Sequence, residues 1–245
     1  MLEADLGVGV RAGFTTRAGG VSRDAWTGPN LGLYVGDDAD AVRRNRELLA
    51  AWAGAPVSFA RQTHGTGVAV LPAGYRADAG AAAVPEADAD CLVTAQRGWP
   101  VGVLVADCVP VLLADPSAGV VAAVHAGRRG LLAGVLASAV EALTLLGAQP
   151  GAVRAAIGPA AGGCCYEVPA DLQEQACARR PELQATTTWG TPALDLRAGV
   201  VAELSDLGIA DARLVGGCTI EDSSFYSYRR SPVTGRFAGV VTLVP

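Results

Sequence analysis

The stretch DCVPVLLADPSAGVVAAVHAG, residues 107–127, decides the fold. Its two apolar runs, Val109 to Ala114 and Val120 to His125, are too short for helices and rich in β-branched residues. Between them lies Asp115-Pro116-Ser117-Ala118-Gly119, with proline suited to the first central position of a turn and glycine to a position of positive φ. A β-hairpin is the reading. If Pro116 and Ser117 alone form the turn, Cys108 lies directly opposite His125. A four-residue loop from Pro116 to Gly119 makes the two diagonal neighbours on one face, and a three-residue loop puts them on opposite faces. Proline fits the two-residue hairpin turns poorly.

Outward from this hairpin, strands are predicted at Val10 to Thr15, Val57 to Arg61, Val68 to Leu71, Cys91 to Thr94, Val101 to Val105, Ala152 to Ile157, Ala193 to Leu196, Ala212 to Val215 and Phe237 to Val244. Helices are predicted at Ala39 to Trp52, Arg129 to Leu146, Ala170 to Ala178 and Arg197 to Leu207. Several strands adjoin without an intervening helix, which excludes a simple doubly wound parallel sheet. An α+β arrangement, with mixed sheets and helices on their outer faces, follows. Ala79 to Ala89, alanine-rich and short, reads as a surface loop.

The 245 residues are expected to form one domain, 1–245, and with 51% of them hydrophobic and 18% charged there is material for a sizeable core. A net charge of −5 argues against a broad grip on nucleic acid or an acidic membrane, and for a small-molecule substrate. Gly130 to Ala148 is apolar, but Glu141 interrupts it, so it reads as a buried helix and not a membrane span. The first residues, Met1 to Leu6, carry no basic segment followed by an apolar run, so the cytoplasm is the expected compartment. A monomer is favoured. The six cysteines form no C-x-x-C pair and are expected to be reduced thiols.

Only two histidines occur, His64 in Gln62-Thr63-His64-Gly65 and His125 in His125-Ala126-Gly127. With Cys108 they make a candidate metal site. Thiolate and imidazole suit zinc, and three protein ligands leave a fourth position open, as in catalytic sites. The same spacing admits a metal-free thiol, Cys108, activated by His125 as its base. Asp107 is the adjoining carboxylate, although strand alternation can turn it to the opposite face.

The chain resembles the YfiH family, variously described as laccase-like multicopper polyphenol oxidase, purine nucleoside phosphorylase and peptidoglycan editing factor. The resemblance runs through Phe14–Ser22, Asn30-Leu31-Gly32, Val35–Asp38, Gln62–Gly65, Asp88–Thr94 and Ala106–Val111. It continues through His125–Gly130, Ile157-Gly158-Pro159, Cys164–Val168, Phe225–Arg230 and Thr234-Gly235-Arg236. It implies a four-layer α/β/β/α sandwich with mixed sheets and a metal held by His64, Cys108 and His125. The implied activity is phosphorolysis of adenosine, inosine and S-methyl-5′-thioadenosine, with adenosine deamination alongside. Purine nucleosides and inorganic phosphate are then the partners. Zinc is the expected ion, with copper second. A multicopper oxidase needs many imidazoles, and two cannot supply them.

Cys108, His125 and Asp107 are the expected catalytic residues, and Asn30, Arg129, Arg229, Arg230 and Arg236 the expected substrate and phosphate ligands. Two positions depart from the family: Arg128 stands where it usually has Trp, and Ala160 where it usually has Cys after Gly-Pro. Two other readings remain, a cysteine hydrolase or amidase acting on a peptidoglycan precursor through Cys108, and a copper-dependent polyphenol oxidase.

Overall fold

The computed structural model describes residues 1–72 and 88–245, so most of the expected loop at Ala79 to Ala89 lies outside the described residues. Two mixed sheets form the centre. The first contains β1 (Leu2–Ala4), β2 (Val10–Phe14), β3 (Ser58–Phe59), and further along the chain β6 (Val101–Val105) and β13 (Phe237–Leu243), in the order β1-β2-β13-β6-β3. The second contains β4 (Val68–Val70), β5 (Cys91–Thr94), β7 (Val109–Asp115), β8 (Val120–Ala126), β9 (Arg154–Ile157) and β12 (Asp211–Leu214), in the order β12-β9-β7-β8-β5-β4. In each, antiparallel pairs are joined by parallel ones, β3 beside β6 in the first and β4 beside β5 and β12 beside β9 in the second. A small ribbon, β10 (Gln184–Thr186) with β11 (Pro192–Leu194), stands apart.

Period-two alternation sorts the side chains of β7 and β8 between two cores. Leu112, Ala114, Val121 and Ala123 face the first sheet, where Phe14, Val101, Val103 and Val241 meet them. Val111, Leu113, Ala122 and Val124 face the opposite way, onto helices α2 (Arg128–Ala133), α3 (Val135–Leu145) and α5 (Leu196–Asp206) through Leu131, Leu136, Leu143 and Val200. The outer face of the first sheet is covered by α1 (Ala39–Ala53), whose Leu49 and Ala53 pack on Phe59, Ala238 and Val240. The layers are therefore helix, sheet, sheet, helix, as the resemblance implied. α4 (Ala170–Arg179) lies against β11.

The hairpin pairs Asp115 with Val120 and Pro110 with His125, which is the register of the four-residue loop. Asp115 sets that loop: its Oδ1 accepts the backbone N–H groups of Ser117 and Ala118, and Gly119 takes φ of 66°. The predicted helix Arg129 to Leu146 is two helices, because Gly134 adopts φ of 93° and ends α2. No helix among the described residues is long and apolar enough to cross a membrane.

Candidate metal centre

In this register the strand position opposite Cys108 is occupied by Gly127. A Cβ there would come within 2.8 Å of His64 Cδ2 and 3.1 Å of Cys108 Sγ, so the absence of a side chain is what allows the donors to converge. One donor atom from each of His64, Cys108 and His125 lies within 4.8 Å of the others. Cys108 Sγ is 3.7 Å from His64 Nε2, and the two imidazoles meet edge to face, with centroids 4.7 Å apart.

The organiser is Asp90, wholly buried at the head of β5. Its carboxylate is 2.7 Å from His125 Nδ1, which leaves Nε2 to face the cavity. It also accepts the backbone N–H groups of His64 and Gly65, at 2.9 and 2.7 Å, so one carboxylate fixes both imidazoles. His64 takes φ of 61°, and these bonds hold it there. Gln62 exchanges two hydrogen bonds of 2.8 Å with the backbone of Leu104, and Gly130 of α2 packs against the Gly65 carbonyl.

The electrostatics match the chemistry. Burial pushes the Cys108 thiol up, but the hydrogen bond and charge of His125, followed by those of His64, outweigh it and bring the thiol down to about 6. Burial likewise opposes charge on His125, and its contacts with Asp90 and Cys108 carry it up to about 9. For Asp90 burial raises the carboxyl, and the His125 and backbone hydrogen bonds hold it well below the ordinary carboxylate range. A thiolate and two Nε2-presenting imidazoles are the donor set a borderline transition ion takes, with room left for a fourth ligand.

The three residues lie in a cavity of about 1040 Å³. Among its described lining residues are five arginines, Arg46, Arg61, Arg128, Arg229 and Arg236, and a single acid, Asp107. On a chain of net charge −5 this is a concentrated cationic wall. Tyr34, Tyr166 and Tyr228 add aromatic surface, and the Arg229 guanidinium stacks 4.6 Å over the Tyr166 ring.

The structure places the other expected residues as follows. Asp107 borders the cavity, but its carboxylate accepts from Thr219 Oγ1 at 2.6 Å and from the Arg229 backbone N–H at 2.7 Å. It positions the loop that bears Arg229. Arg128 faces the cavity and makes no hydrogen bond or ion pair with a described residue, whereas Arg129 is exposed outside the lining. Asn30 is buried away from the cavity lining and cross-links Gly32, Asp37 and the backbone N–H of Arg236. Arg230 gives its guanidinium to the carbonyls of Thr219, Ile220, Asp222 and Phe225, so it holds its own loop together. Glu167, next to Tyr166 in the chain, is exposed and accepts from Trp189 Nε1.

Asp90 and Gln62 were not singled out from the sequence. Their only signal is position: an acid immediately before an apolar strand, and a polar residue two before His64.

Fold and site together define a class: α+β sandwich proteins with a two-imidazole, one-thiolate donor set at the base of an arginine-lined cavity. The chain belongs to the family described as multi-copper polyphenol oxidoreductase laccase, whose model matches residues 11–244. A Streptomyces coelicolor relative named purine nucleoside phosphorylase is 50% identical over 244 residues, which covers 98% of each chain. One of the same name from Corynebacterium glutamicum is 47% identical, over 96% of this chain and 94% of its own. The crystal structure of a Neisseria meningitidis protein superimposes with a TM-score of 0.86 at 35% identity, covering 100% of this chain and 99% of that one. The Bacillus licheniformis protein YfiH does so at 0.86 and 33%, covering 96% and 92%.

Proposed function

We propose that the chain is a metal-dependent purine nucleoside phosphorylase acting on adenosine, inosine and S-methyl-5′-thioadenosine, with adenosine deaminase activity in the same cavity. The observation that carries this reading is Arg128, without a hydrogen-bond or ion-pair partner among the described residues, lining one cavity with Arg229 and Arg236 and with the His64, Cys108 and His125 donor set. Relatives named purine nucleoside phosphorylase support it.

Zinc is the ion we assign to the three donors. When bound, it supplies Lewis-acid charge and lowers the pKa of a ligated water. The chain's own residues do the rest. Arg128 and Arg229 neutralise phosphate and hold it beside the sugar, which turns a bimolecular attack on the anomeric carbon into a positioned one. Tyr34 and Tyr228 at the cavity mouth offer faces for the purine, and Asp107 keeps the Arg229 loop in register.

Polyphenol oxidation is disfavoured by the donor count, since both histidines of the chain are in this one site. A thiol nucleophile draws support from the line Cys108, His125, Asp90, which has the form of a nucleophile, base and orienting acid. The second imidazole on the same sulfur, His64, favours the ion.

The test is product analysis with adenosine. Ribose 1-phosphate and adenine are expected only when phosphate is supplied; free ribose formed equally well without phosphate would make the enzyme a hydrolase.

A further inference from the structure

A second cluster of soft donors lies outside the cavity lining. Cys164 and Cys165 precede Tyr166 in one loop, Cys218 and Glu221 lie in another, and one donor atom from each falls within 4.8 Å of the rest. A tetrahedral ion with metal–sulfur bonds of about 2.3 Å holds its donors about 3.8 Å apart, so a small contraction of this group closes the shell. Two contacts are already of the right kind. The backbone N–H of Gly162 donates to Cys218 Sγ at 3.3 Å, as amides behind a metal-bound thiolate do, and Cys164 Sγ lies 3.4 Å from Glu221 Oε2.

Gly162 is also tight, since a Cβ there would sit 3.1 Å from Cys164 Sγ and 3.4 Å from Cys218 Sγ.

We propose that Cys164, Cys165, Cys218 and Glu221 form a second, closed-shell site for a thiophilic divalent ion of the zinc class. Its role is to clamp two loops. These already touch through the Ala160 and Cys218 backbone bridge and the bond from Thr219 N–H to the Ala160 carbonyl, 2.9 Å. One leads to Tyr166 in the cavity wall, and the other carries Thr219, which holds Asp107. On binding, each coordinating thiol gives its proton to solvent and the ion takes the thiolate, so no oxidant or reductant is involved.

The experiment is titration of reduced, metal-stripped full-length protein with Co²⁺, read by thiolate-to-metal charge-transfer absorption, and with Zn²⁺, read by metal content after desalting. Two equivalents are expected, one more thiolate-rich than the other. Cys164→Ser and Glu221→Gln change partly or fully exposed positions, and each should weaken or abolish only the thiolate-rich equivalent, while Cys177→Ser, outside the cluster, keeps both. Binding that stops at one equivalent in the wild type overturns the proposal. So does a thiolate-rich equivalent that survives Cys164→Ser with Cys218→Ser.

Discussion

Burial pushes up both the Cys164 and Cys165 thiols, gathered with Cys218 and Glu221, and the Cys108 thiol, gathered with two imidazoles, yet the two places end on opposite sides of the ordinary thiol range. At Cys108 the neighbours are hydrogen-bonding bases, and a buried carboxylate behind them keeps His125 charged, so the thiol falls to about 6. At Cys164 the neighbours are other thiols and an acid, and the thiol rises. Burial alone says nothing about whether a cysteine is reactive; the partner across the contact decides it. The first cluster is preorganised from behind by Asp90, while the second has the Gly162 amide and the contact of Cys164 with Glu221 and is completed by an ion.

The largest effect expected from breaking this contrast is on chemistry. Cys108→Ser or His64→Ala should lower phosphorolysis by roughly 10²–10³-fold, because each removes a donor from the open site. Cys164→Ser should leave metal at the first site at the wild-type level. Metal analysis beside a ribose 1-phosphate assay checks both.

Removal of the rear support comes next. Asp90→Asn keeps the shape but loses the charge that faces His125 and the three loop amides of Thr63, His64 and Gly65, and should weaken metal retention at the first site by about 10–100-fold. Competition with a chromophoric chelator measures it. Gly127→Ala should act in the same direction, since its methyl group would crowd His64 and Cys108. The core on either side of the hairpin is untouched, so its melting temperature should move little.

Arg128 sharpens the comparison on the cavity side. Arg128→Ala should cost about 1.5–3 kcal/mol in kcat/KM for phosphate, the loss of one charge-assisted bond. Arg129→Ala, at an exposed position, should change it by no more than about a few-fold. Initial rates at varied phosphate separate the two.

The smallest effect is on thiol reactivity. In metal-stripped protein at pH 7, Cys108 is largely thiolate, whereas Cys164 and Cys165, pushed above their ordinary range, are protonated. Iodoacetamide should modify Cys108 faster than the pair by about tenfold or more, and bound metal should protect it. Peptide mapping against time gives the order.

Much of the fold was legible because the hairpin carries its own punctuation. Asp115, Pro116 and Gly119 mark the turn, and the apolar runs beside them are buried on both faces. The register was not fixed by those residues, and the pairing of Asp115 with Val120 selects the four-residue loop. Gly134 lies inside an apolar helical pattern that tolerates glycine, so the break between α2 and α3 is visible only in its left-handed φ. β1 and β10 have three residues each, too few for periodicity, and exist through pairing with β2 and β11.

In the site, His64, Cys108 and His125 stood out through rarity and spacing. Asp90 did not, because its partners Thr63, His64 and Gly65 arrive from a loop 25 to 27 residues away. Arg128 and Arg129 could not be separated by composition; the start of α2 turns one to the cavity and the other outward.

The central claim, that His64, Cys108 and His125 hold the ion on which phosphorolysis depends, is tested most directly by following isotopically labelled inorganic phosphate into ribose 1-phosphate. The assay uses adenosine and wild-type protein stripped of metal and then reloaded with zinc, with Cys108→Ser treated in parallel. Labelled ribose 1-phosphate that disappears on stripping, returns on reloading and stays near background in Cys108→Ser is the predicted result. Label incorporated equally by stripped wild type, or by Cys108→Ser, would contradict the assignment.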